Sequence, residues 1–225
     1  MSTSARTLVR AGRYAIFANG VECGEERWTL EAVGDGLVVT GAQETAAPHP
    51  LPSRLEYRAT LTPEWRVTGI ELHWTVGARE IRALHHAEAG RWRARLEYGA
   101  ESRSQEGDYP AVCEVEIPSH LSAMFVLAHR AFQLEGEHEF PVLRIGPPVM
   151  AVSPERMKLR CVATGTIMSP RGPVAARRYV ASLPPRGEDE GYTFWADDDG
   201  LVLESFEGPE PERPWMRLVE LTEGA

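Results

Sequence analysis

The chain has 225 residues, 43% hydrophobic and 25% charged, the composition of a folded globular protein and far from that of a disordered one. Its 33 acidic and 24 basic residues leave a net charge of -9, so the averaged field repels phosphate backbones and nucleic acid is excluded as the expected partner. Three cysteines, Cys23, Cys113 and Cys161, are an odd number without C-x-x-C spacing, which argues against a disulfide framework and a structural zinc site.

The first residues lack the apolar centre of a secretory signal, and no apolar run approaches the roughly 20 residues of a membrane span. A cytoplasmic protein is expected. Period-two patterns then begin. Strands are predicted over 14–18, 27–33, 37–41 and 55–61, with Asn19-Gly20 and Gly34-Asp35-Gly36 as turn signals. Val67–Val76 places Ile70, Leu72, Trp74 and Val76 on one face and Glu71, His73 and Thr75 on the other, the signature of a half-buried strand. Residues 79–86 read as its hairpin partner. After Gly90, Trp92, Ala94, Leu96 and Tyr98 alternate with Arg93, Arg95 and Glu97.

Further strands are predicted over 112–117, 142–145, 157–167, 174–183, 192–196, 201–206 and 215–221. One helix interrupts them: Ser119 is a candidate N-cap, and Leu121, Met124, Phe125, Ala128 and Phe132 recur at helical spacing. Flexible connections are expected over 42–53, 101–108 and 184–190. The fold class is therefore mainly β: a curved antiparallel sheet, a β-roll or half-barrel, with one short helix in a single domain over 1–225. A weak repeat leaves open a fusion of two half-sheets, about 12–98 and 140–221. Its first copy is Leu30-x-x-Val33-x-x-Gly36-x-Val38 followed by Tyr57-x-Ala59; its second is Leu159-x-x-Val162-x-x-Gly165-x-Ile167 followed by Tyr179-x-Ala181.

No phosphate-binding loop, dinucleotide fingerprint, nucleophile elbow or H-E-x-x-H is present, so no cofactor or metal is expected and no catalytic residue is assigned. Asp197-Asp198-Asp199-Gly200 lacks the alternating ligands of a calcium loop and is read as a tight turn. His85 and His86 point to opposite faces of a strand and do not readily share a metal. Cys113-Glu-Val-Glu-Ile117 puts Glu114 and Glu116 on one face, where they either perturb each other's titration or simply face water. Arg178, beside Tyr179, either enters a cavity to meet an anionic headgroup or those glutamates, or lies on a solvated face. Tyr57, Trp74, Trp92 and Tyr179 combine a large apolar body with one polar atom, which suits a cavity lining and core packing equally.

Several of these segments together resemble a glycolipid-binding family, a bacterial group with a spiral β-roll distantly similar to periplasmic lipoprotein carriers. The resemblance rests on the segment from Tyr57 to Trp65-Arg66, on Ala89-Gly-Arg-Trp92, Cys113-Glu-Val-Glu-Ile117, Arg177-Arg-Tyr179 before Leu183-Pro, Tyr192, and Asp199-Gly-Leu-Val202. The departure is Pro118-Ser-His-Leu-Ser-Ala-Met-Phe125 followed by Arg130 alone, where the family has a proline- and threonine-containing stretch leading to paired arginines. A second, weaker similarity is to exported half-barrel proteins of unknown function.

Three functions follow as expectations. The first is binding of an apolar, lipid-like or glycolipid-like small molecule, with Glu114, Glu116, Arg178, Tyr179, Tyr57, Trp74 and Trp92 as ligand-binding residues. The second is a cofactor-independent enzyme for a small apolar metabolite, with Glu114 and Glu116 as acid and base. The third, compatible with both, is a homodimer that covers sheet edges.

Overall fold

The computed structural model describes residues 6–88, 90–111, 113–119, 121–129, 136–182, 191–208 and 213–224. Eight strands come first: β1 (Arg6–Ala18), β2 (Val21–Val33), β3 (Gly36–Thr45), β4 (Ser53–Leu61), β5 (Val67–Val76), β6 (Arg79–Glu88), β7 (Arg91–Tyr98) and β8 (Glu101–Asp108). A short β9 (Glu114–Glu116) leads to the helix α1 (Ser122–His129). The rest are β10 (Glu137–Gly146), β11 (Ala151–Ser169), β12 (Gly172–Ser182), β13 (Tyr192–Asp197), β14 (Val202–Glu207) and β15 (Met216–Glu223). The mainly β class with one short helix holds.

All strands belong to one unclosed sheet, in the order β8-β7-β6-β5-β4-β3-β2-β1-β15-β14-β13-β12-β11-β10-β9. Neighbours are antiparallel except β9 and β10, which run parallel. Each hairpin is local, as at Asn19-Gly20, where φ values of 53° and 78° supply the left-handed pair that a two-residue turn requires. Pairing of β1 with β15 joins the two ends of the chain at the middle of the sheet.

The strand over 101–108 corrects the expectation of a flexible connection. Glu101–Asp108 carries no apolar alternation because it is exposed on an edge, yet its backbone pairs with β7 from Tyr98 opposite Glu101 to Arg91 opposite Asp108. The charges along it are the usual protection of a free edge. The repeat motifs do not fall on equivalent elements: Leu30 to Val38 passes through the β2–β3 turn, whereas Leu159 to Ile167 lies within β11.

The sheet rolls until its ends overlap. Val115, Leu143 and Ile145 of β9 and β10 face Ile70, His85 and Trp92 across a small cavity of about 20 Å³, and Val152 N of β11 donates to Gln105 Oε1 of β8 at 3.1 Å. Inward rows of the first half are filled by alternating sizes. One row runs Gly12, Trp28, Gly41, Tyr57, Leu72, Ala83, Leu96 across β1 to β7. A Cβ at Gly12 would meet the Trp28 ring at 2.7 Å, and one at Gly41 the Tyr57 ring at 2.2 Å. Both glycines are there because the neighbouring aromatic ring occupies their side-chain space.

The helix α1 closes the interior. Leu121 just ahead of it, with Met124 and Phe125, packs into the core of the first half; Ala123, Val126 and Leu127 pack with Phe140, Met157, Leu159, Tyr179 and Phe194. An eight-residue helix is marginal by itself, so this burial on both sides is what holds it. The interior of the roll is thus largely filled by its own chain. Space remains at one end.

Candidate functional site

Next to the Gly12–Leu96 row, another runs Tyr14, Glu26, Gln43, Leu55, Trp74, Ile81, Tyr98. It puts a carboxyl among apolar side chains. Glu26 is fully buried; its Oε1 accepts hydrogen bonds from Tyr57 Oη and Ser119 Oγ, each at 2.5 Å, while its Oε2 has no partner among the described residues. Burial pushes its carboxyl above the usual range, against the two hydrogen bonds, which favour the ionised form. Ser119 is held in turn by the Leu121 amide, which donates to its Oγ at 3.1 Å. The predicted cap therefore acts one turn ahead of α1 and fastens the approach to the helix onto β2.

Ser119 forms part of the floor of a cleft of 330 Å³ at the open end of the roll. Ile117 and Ser122 lie beside it; Leu55, Trp74, Ile145 and Met150 give apolar walls; Tyr192 and Trp215 close the far side. Such a volume falls at the lower end of small-molecule sites, roughly 300–1,000 Å³. His49, Glu207 and Trp215 also border an adjoining depression of 690 Å³, so the cleft opens outward between the β3–β4 connection and Trp215. Leu51, on the rim, is 43% exposed.

The ionisable groups Glu116, Arg144, Tyr192 and Glu207 of the wall are placed by β9, β10, β13 and β14. Arg144 Nε lies 3.4 Å from Glu116 Oε2, an ion pair fixed by the parallel register of Glu116 with Arg144. Tyr192 is beside both: burial raises its phenol well above the ordinary value, Glu116 adds to the rise and Arg144 opposes it. Across the β13–β14 register Tyr192 faces Glu207.

Of the residues singled out in the sequence, Glu116 and Trp74 line this cleft. Tyr57 lies one step behind it, on Glu26. Glu114 is held separately: His129 Nδ1 of α1 is 2.9 Å from both its carboxyl oxygens, so each glutamate of β9 has its own basic partner. Trp92 borders the small overlap cavity, and Tyr179 stacks on Phe194 at 5.4 Å between ring centres in the core beneath α1. Arg178 is half-buried opposite Trp195, its Nε without a partner among the described residues. Arg130 and Phe132 lie outside the described residues, as do Ala89 and Leu183.

The sequence reading missed Glu26, Arg144, Tyr192 as a cleft residue, Glu207 and Trp215. Glu26 had a signal, since it shares even register with Trp28 and Leu30 on an inward face. Arg144 had a weaker one, as a charge inside the apolar run 142–145. The Asp197 turn forms as expected: Asp197 Oδ1 accepts from the Asp199 and Leu201 amides at 3.0 and 2.8 Å. Among the described residues no cluster of ligands fit for a metal is found, and no helix is long and apolar enough to cross a membrane.

No protein-family model matches the chain, and no curated protein matches it. Solved structures do. A DUF1089 family protein from Pseudomonas aeruginosa is similar with a TM-score of 0.52 at 17% identity, over 84% of this chain and 91% of that one. A beta-barrel-like protein of the domain of unknown function DUF1849 from Brucella abortus has a TM-score of 0.59 at 10% identity, over 98% of this chain and 99% of that one. At these identities the likeness establishes the fold, a β-barrel-like roll, and carries no ligand with it.

Proposed function

We propose that the protein binds a lipid-like amphiphile, a glycolipid-like molecule included, at the open end of the roll. The headgroup and the adjoining part of the chain occupy the 330 Å³ cleft, and the remainder extends over the outer depression. One observation supports this above others: in a roll whose interior is filled by α1, the cleft combines apolar walls and aromatic faces with the Glu116–Arg144 pair. A wholly polar solute would leave Leu55, Ile145 and Met150 unmatched, and a wholly apolar one would cover Arg144 without a partner for its outer nitrogens.

The test is displacement of an environment-sensitive naphthalene dye by single-chain amphiphiles, on wild-type protein and on Gln43→Trp. Gln43 is half-buried and lines the cleft beside Leu55, so the larger ring takes up the space of the site, and an unchanged urea midpoint of the variant shows that the fold is kept. Saturable binding lost in Gln43→Trp supports the reading. Binding that persists unchanged in that variant places the ligand elsewhere and removes it.

A further inference from the structure

We infer that the cleft recognises a zwitterionic headgroup, an anionic oxygen on Arg144 and a cationic ammonium between Tyr192, Trp215 and Glu207. This rests on the reading of the cleft as an amphiphile site and names the chemistry of its polar end.

Arg144 supplies the anion half. Its Nε is committed to Glu116, but its other nitrogens make no hydrogen bond among the described residues, and its side chain is 34% exposed into the cleft. A planar guanidinium held at one edge keeps its outer edge aligned for a phosphate or carboxylate oxygen. Glu116, with 13% exposure, fixes that orientation and at the same time offsets most of the positive charge. A ligand bearing only an anion therefore gains the hydrogen bonds and little net attraction.

Glu207 supplies the other half. Its carboxylate is exposed, lines both the cleft and the outer depression, and makes no ion pair among the described residues. Among the described residues, Arg213, on the depression, donates instead to the Asn19 carbonyl at 3.3 Å, and His49 Nδ1 is 2.9 Å from the Leu51 carbonyl. Tyr192 stands between the two halves, cross-strand to Glu207 and electrostatically coupled to both Glu116 and Arg144. The Tyr192 ring, stacked on Phe194 at 5.7 Å between ring centres, and the Trp215 indole border the place of the ammonium, and the Glu207 carboxylate supplies the charge that holds it. With Glu116, Glu207 and Arg144 the described lining carries one net negative charge, and a headgroup with an anion on Arg144 and a cation on Glu207 answers both of the sites left open.

The experiment compares dodecyl amphiphiles that share one chain and differ in head: phosphocholine, phosphate, trimethylammonium and maltoside, each below its micellar concentration, with calorimetric detection. Free phosphocholine without a chain is the fifth ligand. Dodecylphosphocholine is expected to bind roughly tenfold more tightly than any of the other three chains. Glu207→Gln, on an exposed side chain that does not hold the fold, should weaken the phosphocholine and trimethylammonium ligands several-fold and leave the phosphate unchanged. Arg144→Gln should weaken phosphocholine and phosphate and spare trimethylammonium. Maltoside binding as tightly as phosphocholine overturns the headgroup inference while leaving the amphiphile reading intact. Free phosphocholine matching the dodecyl form keeps the headgroup and overturns the lipid source; absence of binding by every ligand removes both.

Discussion

Tyr57 lies across the face of Gly41 and donates its phenolic proton to Glu26 Oε1 at 2.5 Å. This contact ties the inward face of β4 to β2, and through Ser119 it ties both to the approach of α1. The missing side chain at position 41 is what allows it.

Gly41→Ala should therefore destabilise the protein by about 1–3 kcal/mol, the usual cost of forcing atoms into a filled core. The added Cβ would stand 2.2 Å from the Tyr57 ring, whereas the same change at Gly146 meets nothing within 4 Å. Urea midpoints of the two variants check this; equal midpoints would contradict it.

Glu26 gives a pH dependence of definite sign. Its folded-state pKa is raised by burial, so the native state holds the proton more tightly than the unfolded chain. The resulting stabilisation is complete below the unfolded value, about 4.3, and is lost as pH rises through the folded value. Glu26→Gln keeps an acceptor for Tyr57 and Ser119 without a charge to bury. Relative to that variant the wild type should lose stability with rising pH, and parallel stability curves would remove Glu26 as the cause.

His85 acts in the opposite direction. Both its ring nitrogens are buried without a partner among the described residues, and burial lowers its pKa from 6.5 to about 4. Its neutral form is favoured by the fold, so its contribution is full above pH 6.5 and disappears as pH falls to about 4. At 1.36 kcal/mol per unit the whole loss is about 3 kcal/mol. His85→Leu should flatten the acid limb of the stability profile between those values; an unchanged limb assigns it to other groups.

Phe125 tests whether α1 is a structural part of the roll. It is 2% exposed and packs into the core of the first half. Phe125→Ala should cost about 3–5 kcal/mol, the range for emptying a buried aromatic site. A loss below 1 kcal/mol would mean that the helix is only loosely seated.

Much of this architecture was legible because each strand with one buried face writes its burial as alternation. Ile70, Leu72 and Trp74 on β5, and Trp92, Ala94 and Leu96 on β7, all fall inward as their spacing requires. β8 was illegible for the same reason: an edge strand exposed over most of its length has no apolar period, and its backbone pairing with β7 requires none. The helix was readable from its spacing, but not its position between two cores, since that depends on how far the sheet rolls. The site was the least legible part. Glu116 and Trp74 come together with Arg144, Tyr192 and Glu207 only through the parallel β9–β10 register and the β13–β14 pairing, which no local pattern encodes.

In the proposed function the ligand enters the open end of the roll and not the filled interior. Indole N–H resonances report this directly, because Trp74 and Trp215 line the cleft whereas Trp28 lies in the core and Trp92 in the overlap seam. On titration with dodecylphosphocholine, the Trp74 and Trp215 signals should shift and saturate while those of Trp28 and Trp92 stay in place. Movement of Trp28 and Trp92 with Trp74 and Trp215 unmoved would contradict the account.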